Sequence, residues 1–233
     1  MTEPRPLGVR ALAEGLGTGL LVAVVVGSGI AAEARSPDDV GLQLLESSTA
    51  TALALVSLIL TFGPVSGAHL NPAVTLAELL TGKVDGRSAS AYVAAQVAGG
   101  CVGTVVANLM FELPAVELAT EDRTSLALAF SEVVATFGLL TVLFGVVRSG
   151  RMMAVPVAVA GYIGAAYWFT SSTSFANPAV TVARTLTNTF AGIRPASAPL
   201  FVLAQLVAVG LAVGVARILF PDPEPSLQEV LDA

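Results

Sequence analysis

The chain has 233 residues, 55% hydrophobic and 12% charged, with a mean hydropathy of +0.80. A soluble domain carries about 25% charged residues, so this balance places the chain in a bilayer and not in water. The net charge of −6 argues against nucleic acid as a partner, and a single Cys101 with a single His69 leaves no disulfide framework, no metal cluster and no expected cofactor.

The apolar runs are long enough to cross a bilayer, for which about 20 residues are needed. In chain order they fall at 11–31, 49–66, 89–111, 126–147, 152–170 and 198–220. The first carries Glu14 and lacks a small-x-small cleavage site, so it reads as a retained helix and not as a signal segment. Segments 32–48 and 112–125 read as polar outer connections and 148–151 as a tight inner one. The end, 221–233, is acidic and proline-rich and reads as a disordered tail. With the N-terminus inside, the inner connections hold Arg5, Arg10, Lys83, Arg87, Arg148, Arg151 and Arg217, against Arg35, Arg123 and Arg194 outside. That excess places both termini in the cytoplasm. The outer loops also carry Glu33, Asp38, Asp39, Glu46, Glu112, Glu117, Glu121 and Asp122, which gives an acidic exterior mouth.

Two short segments interrupt the pattern, "AHLNPAVT" at 68–75 and "SFANPAVT" at 174–181, with their Asn-Pro-Ala triplets 106 residues apart. Glu14 and Glu132 recur at an offset of 118, and Gln96 and Gln205 at 109. Each half, about 9–111 and about 126–220, holds three crossings and one Asn-Pro-Ala segment. Three is odd, so the second half enters from the opposite side, and such inverted repeats place their site near the midplane. Residues 1–220 thus read as one all-α membrane domain with six transmembrane helices and two re-entrant half-helices.

Asn is a strong N-cap residue and Pro is favoured at the first helical position. Asn71, Pro72 and Ala73 therefore start one short helix, to about Thr81, and Asn177, Pro178 and Ala179 start another, to about Thr187. Ten residues span roughly 15 Å, half of a roughly 30 Å hydrocarbon core. The two helices would meet N-terminus to N-terminus, each tip carrying roughly half a positive charge, which repels cations and protons from a passage between them. Each Asn oxygen caps its own helix and leaves its NH2 to donate to a passing oxygen. Gly67, Ala68 and His69 on one side, and Ser172 and Thr173 on the other, supply entrance backbone whose carbonyls face the passage. Glu14 and Glu132 are buried carboxylates, each accepting from the amides of one entry loop. A proton relay is the other reading, and it lacks a chain of titratable groups. His69 supports the inner entrance or gates it by pH. Positions 177, 180 and 184 share a helical face, so Arg184 either lines the outer mouth or is a structural residue stabilised by the helix dipole or a carboxylate. Gln96 and Gln205 read as interhelical links, "VAGGCVGTVVA" as close helix packing, and Tyr167 and Trp168 as an aromatic belt.

The stretches "AEGLGTGLLV", "SGAHLNPAVT", "YVAAQVAGG", "SFANPAVT" and "FVLAQLV", in that order, resemble the major intrinsic protein family of aquaporins and aquaglyceroporins. The resemblance implies an aquaporin-like fold, a homotetramer in the cell membrane with one pore per subunit, and passive flux of small neutral solutes. The family usually places Arg directly after the second Asn-Pro-Ala, where it forms a narrow filter with three other positions. Here that position is Val180, and spacing from the motifs puts the other three at Thr51, Ala165 (or its neighbour Gly164) and Ser174. So small and uncharged a set implies a wide filter that passes water, glycerol and larger neutral solutes. Similar Val-substituted bacterial members are linked to arsenic-resistance gene clusters, which makes arsenite, neutral As(OH)3 at pH 7, a candidate. The competing readings are a water-selective pore, a closed membrane scaffold and an ion-coupled transporter. No nucleophile–base pair or metal set supports an enzyme.

Overall fold

The computed structural model describes residues 5–221, all helix or connecting coil. Residues 222–233, where the acidic tail is expected, lie outside the described residues. In order the helices are α1 (Leu7–Arg35), α2 (Val40–Ser66), α3 (Pro72–Leu80), α4 (Gly86–Met110), α5 (Leu126–Arg148), α6 (Val155–Phe169), α7 (Pro178–Ala183) and α8 (Ala198–Leu219). A 3-10 turn, Met152–Ala154, leads into α6, and another, Arg184–Leu186, extends α7. Six of these segments are long and apolar enough to cross a membrane, and α3 and α7 are the two short helices that the Asn-Pro pairs predict.

Two expectations change. The polar stretch 32–48 is mostly helix, because α1 runs on to Arg35 and α2 begins at Val40. Asp39 caps α2 by accepting from the Leu42 amide at 2.9 Å, and Gln43 donates back to the Ser36 carbonyl at 2.7 Å. These polar groups satisfy the helix ends locally, so the helices outrun the apolar window. The second short helix is also shorter than its sequence suggests, with α-helix only to Ala183. Its last carbonyls are claimed from outside: the Glu117 amide donates to Leu186, the Ala119 amide to Thr185 and the Ile193 amide to Arg184, at 3.1–3.3 Å. Tertiary hydrogen bonds from the 112–125 and 188–194 segments thus replace the next helical turn, and those segments are a structured cover over α7.

The scaffold around the short helices rests on backbone-to-backbone contact between α1 and α4. Any Cβ at Gly99 or Gly103 would collide with the carbonyl oxygen of Gly15 or Gly19 respectively. Small residues at such a crossing let helices approach closely in lipid, where association depends on packing and not on water exclusion. The expected outcome of Gly103→Val is a loss of about 1–3 kcal/mol, the usual cost of overpacking. Purified protein should show it as a lowered unfolding midpoint beside Gly63→Val, a site where an added Cβ meets nothing within 4 Å. Equal midpoints would show that the crossing does not limit stability.

Candidate functional site

The two short helices begin face to face. Asn71 Oδ1 accepts from the Ala73 amide at 2.8 Å, and Asn177 Oδ1 accepts from the amides of Ala179 and Val180 at 3.0 and 3.2 Å. Pro72 and Pro178 occupy the first helical turn, where a missing N–H costs nothing. Each carboxamide also reaches across: Asn71 Nδ2 donates to the Ala176 carbonyl and Asn177 Nδ2 to the Leu70 carbonyl, both at 2.8 Å. Sequence reasoning assigned the whole NH2 group to the passage and missed this cross-brace. One N–H of each amide ties the opposite loop, and the second remains for the cavity that both residues line.

Behind each tip lies a fully buried carboxylate. Glu14 accepts from the His69 and Leu70 amides at 2.9 and 2.7 Å and from Ser66 Oγ at 2.6 Å. Glu132 accepts from the Phe175 and Ala176 amides at 2.9 and 2.8 Å. Gln96 Nε2 joins Glu14 to Thr75 Oγ1, and Gln205 Nε2 joins Glu132 to Thr181 Oγ1, each span covered by bonds of 2.6–3.0 Å. The entry loops adopt left-handed backbone at Ala68, Leu70, Thr173, Ser174 and Ala176, with φ between 46 and 60°. This conformation disfavours residues with a Cβ. It turns adjacent amides toward the carboxylate and leaves the loop backbone on the cavity wall at 67–70 and 174–176. Both carboxylates sit within the structural network that the sequence anticipates, and the glutamines complete it.

A cavity of about 250 Å³ passes both caps. It has space for roughly eight waters at about 30 Å³ each. Leu21, Val25, Leu55, Leu139, Val159 and Ile163 form an apolar side opposite the loop backbone and the two Asn residues. Thr51, Ser174 and Val180 line it, and all three are buried. The Ser174 hydroxyl oxygen is fully buried without a protein partner, so Ser174 contributes to the wall through the rest of the residue. Ala165 does not reach the cavity: its side is exposed, and Gly164 packs toward Ala52. The cavity-facing residues of α6 are Val155, Val159, Ile163 and Tyr167, four residues apart. Ungapped counting from the motif therefore lands two residues short of Tyr167, whose hydroxyl meets Thr51 Oγ1 at 3.1 Å. Tyr167 is thus a wall residue and not part of a lipid-facing belt. Trp168 is exposed, with its indole N–H donating to Ser48 Oγ at 3.2 Å.

At the entrances, Gly67, Ala68 and His69 line the inner part of the cavity, with Glu78, Val147 and Met152 beyond them. His69 Nδ1 lies 3.1 Å from Thr75 Oγ1, and its ring packs edge-on against Tyr92 at 5.3 Å, which anchors it to the frame. On the other side Ser172 is fully buried behind the loop, its Oγ accepting from the Ser174 amide at 3.2 Å, so it braces the wall instead of forming it. Thr173 opens onto a separate smaller hollow. Arg184 lines the cavity one turn beyond Val180, buried, with its guanidinium carbon 3.5 Å over the centre of the Phe175 ring. Its Nε donates to the Ala191 carbonyl, and among the described residues no carboxylate pairs with it. None of the outer-loop carboxylates lines either cavity, so the charged groups at the outer mouth are Arg184 and Arg123 and the expected acidic mouth is not formed.

The major intrinsic protein model matches residues 6–170. The chain belongs to the major intrinsic protein family. It is 50% identical to "Aquaglyceroporin AqpS" of Rhizobium meliloti (strain 1021) over 220 residues, 94% of each chain. It is 38% identical to "Aquaporin NIP1-3" of Oryza sativa subsp. japonica over 104 residues, 42% of this chain and 35% of that one. The X-ray structure of the aquaglyceroporin from Plasmodium falciparum superposes with a TM-score of 0.69 at 22% identity, covering 98% of this chain and all of that one, a likeness of fold. Membership of the family makes the protein a multi-pass membrane channel for small neutral solutes, and not an enzyme.

Removing the carboxylate behind a tip tests the frame. Glu132→Ala leaves two backbone amides, one Gln205 N–H and the Ser172 hydroxyl unpaired in the protein interior, at roughly 1–3 kcal/mol for each group. The expected result is protein that misassembles or unfolds far earlier in a detergent melt, with Glu132→Gln in between because its amide offers one acceptor oxygen for four donors, the Phe175 and Ala176 amides, Gln205 and Ser172. A wild-type melt for Glu132→Ala would show that the amides find other partners.

Proposed function

We propose that the chain is a passive channel for glycerol-sized neutral solutes, water among them, and for metalloid hydroxides such as arsenite, that excludes protons and ions. The observation that carries this reading is a cavity that passes both Asn caps with Val180, instead of a cationic side chain, directly after the second Asn-Pro-Ala, and with the cation of Arg184 one turn further out. Solute hydroxyls have donors along one side: the second N–H of Asn71 and of Asn177, the Thr51 hydroxyl and, at the outer end, Arg184. Carbon or metalloid centres lie against the apolar side. The name of the half-identical relative, an aquaglyceroporin, supports the polyol reading. As(OH)3 has the same character, a compact neutral core carrying hydroxyls, and is proposed on that ground.

Ion exclusion follows from the two facing helix tips, each with roughly half a positive charge, and from the Asn N–H groups, which orient a passing water and break a proton wire. A closed scaffold is disfavoured because the cavity extends past the midplane caps. The domain is proposed to cover 1–220, with repeats at about 9–111 and 126–220, as a homotetramer in the cell membrane with both termini in the cytoplasm.

Reconstituted vesicles should swell in glycerol faster than empty ones, with a low activation energy and no proton current. Val180→Arg should slow glycerol about tenfold, a difference of roughly 1–3 kcal/mol of the kind one pocket side chain imposes, while water flux holds. Vesicles as tight to glycerol and arsenite as empty lipid would end the channel reading. An unchanged solute ranking in Val180→Arg would remove Val180 from the filter.

A further inference from the structure

A second hollow, of about 120 Å³, opens beside the outer end of the conduit. It shares Val25, Tyr167 and Arg184 with the main cavity and adds Arg123 from the 111–125 segment. Adjacent carbonyls hold the two guanidinium groups. Arg184 Nε donates to Ala191, and Arg123 Nε donates to Gly192 at 3.2 Å. With Nε tied, the terminal nitrogens of each fork are left for the hollow.

Both guanidinium carbons also stand over one ring, Phe175, at 3.5 and 5.4 Å from its centre. The two like charges therefore lie within about one Debye length, roughly 10 Å at 0.1 M salt, of each other. Neither has a carboxylate at ion-pair distance among the described residues. Asp122 pairs with Arg194 at 3.5 Å, and Glu33 accepts from the Phe190 amide at 3.2 Å. Glu121 and the buried Glu132 act on Arg123 only at longer range, and burial still pulls its guanidinium below the ordinary range. Two fixed cations, Arg184 buried and Arg123 partly buried, facing one hollow without a counter-ion make a site for an anion with several acceptor oxygens, the geometry that arginine forks match bidentately.

We propose that this hollow binds a small free oxyanion, of the size and charge of inorganic phosphate, bridged between Arg123 and Arg184, and that the bound ion narrows the outer mouth and slows neutral solutes. The ion is a regulator and not cargo, because onward passage would strip it against the apolar wall. The narrowing rests on the conduit being the solute path, as proposed above; the binding does not.

Inorganic phosphate is the probe, titrated against chloride at fixed pH and ionic strength. Isothermal titration of the purified protein should show saturable binding, weakened about tenfold or more in Arg123→Gln. That is the loss expected for a charge-assisted contact of roughly 1.5–3 kcal/mol. Arg123→Lys should retain part of the affinity. No phosphate heat beyond chloride in the wild type, or equal affinity in a folded Arg123→Gln, would overturn the site, and the wild-type comparison decides even where that variant does not fold. In phosphatidylcholine vesicles, the ratio of glycerol influx with and without phosphate on both sides should fall for wild type and return toward one in Arg123→Gln. Phosphate that binds without changing the ratio would overturn the narrowing. Phosphate that binds to protein passing no glycerol would uphold the site and reject the solute path instead. Sensitivity abolished by adding phosphatidylglycerol would assign the hollow to a lipid headgroup and overturn the free-ion form of the proposal.

Discussion

Backbone amides at the depth of lipid have no water to turn to, and the rest of the structure depends on how this chain satisfies them. Two entry loops, 67–71 and 173–177, run through that depth without helical hydrogen bonds of their own. Left-handed residues such as Ala68, Leu70, Ser174 and Ala176 add a conformational cost of about 1–2 kcal/mol apiece. Glu14 and Glu132 offset it, because a carboxylate accepts two backbone amides and further side-chain donors at once. The same bonds decide direction: with the amides pulled back toward the carboxylate, the loop backbone is left on the cavity wall. A charge buried in a membrane protein for structural reasons thus creates the polar stripe along which a hydroxylated solute can exchange its hydration.

The internal repeat separates what holds the conduit from what distinguishes its ends. Ser66 and Ser172, Asn71 and Asn177, Val74 and Val180, and Thr75 and Thr181 are identical pairs at one offset, and their hydrogen bonds match from one half to the other. Two of the pairs that differ stand at the wall. His69 stands opposite Phe175, and Glu78 at the inner end of the cavity opposite Arg184 at the outer end. A twofold frame therefore carries a passage with a carboxylate at one mouth and a guanidinium at the other. Position 78 and its counterpart 184 account for that difference between the repeats, and Arg123 adds to it at the outer end.

The parts that depended on neighbouring residues were legible in the sequence. An Asn-Pro pair announces a capped helix start wherever it stands, the six spans follow from composition, and a lone buried carboxylate in each half demands donors that the adjacent loop supplies. The parts that depended on distant residues were not. Nothing near Asn71 says that its amide reaches Ala176, 105 residues away. The outer segments that cap α7 from above erase a turn that local propensity supports. Tyr167 escaped because a count from the Asn-Pro-Ala motif assumes a fixed α6–α7 connection, and here the wall-facing residue lies two positions further on. The four-residue step from Val159 through Ile163 was the available signal for it. Arg123 read as a loop charge, and only the folded cover brings it over Phe175.

The position of the cation has consequences for how such a passage can select. A cation directly after the second Asn-Pro-Ala would both fill the throat with a long side chain and place a charge there, so width and charge could not vary separately. In this chain Val180 holds that place, and the cation stands four residues on, about 6 Å further along a helix axis at 1.5 Å per residue. Stacked on Phe175 and tied to a backbone carbonyl, Arg184 is held to the side of the mouth, where a face-on guanidinium over an aromatic ring gains about 2 kcal/mol when desolvated. Its field still meets a cation before the two helix tips do, and that charge needs no contact to act at the low effective dielectric of the site. Under the proposed function, ion rejection then falls to Arg184 with the half-helix tips, and size selection falls to Thr51, Tyr167, Ser174 and Val180. A throat freed of charge can widen without admitting ions, which is the physical condition for conducting bulky neutral hydroxides through an otherwise aquaporin-like frame.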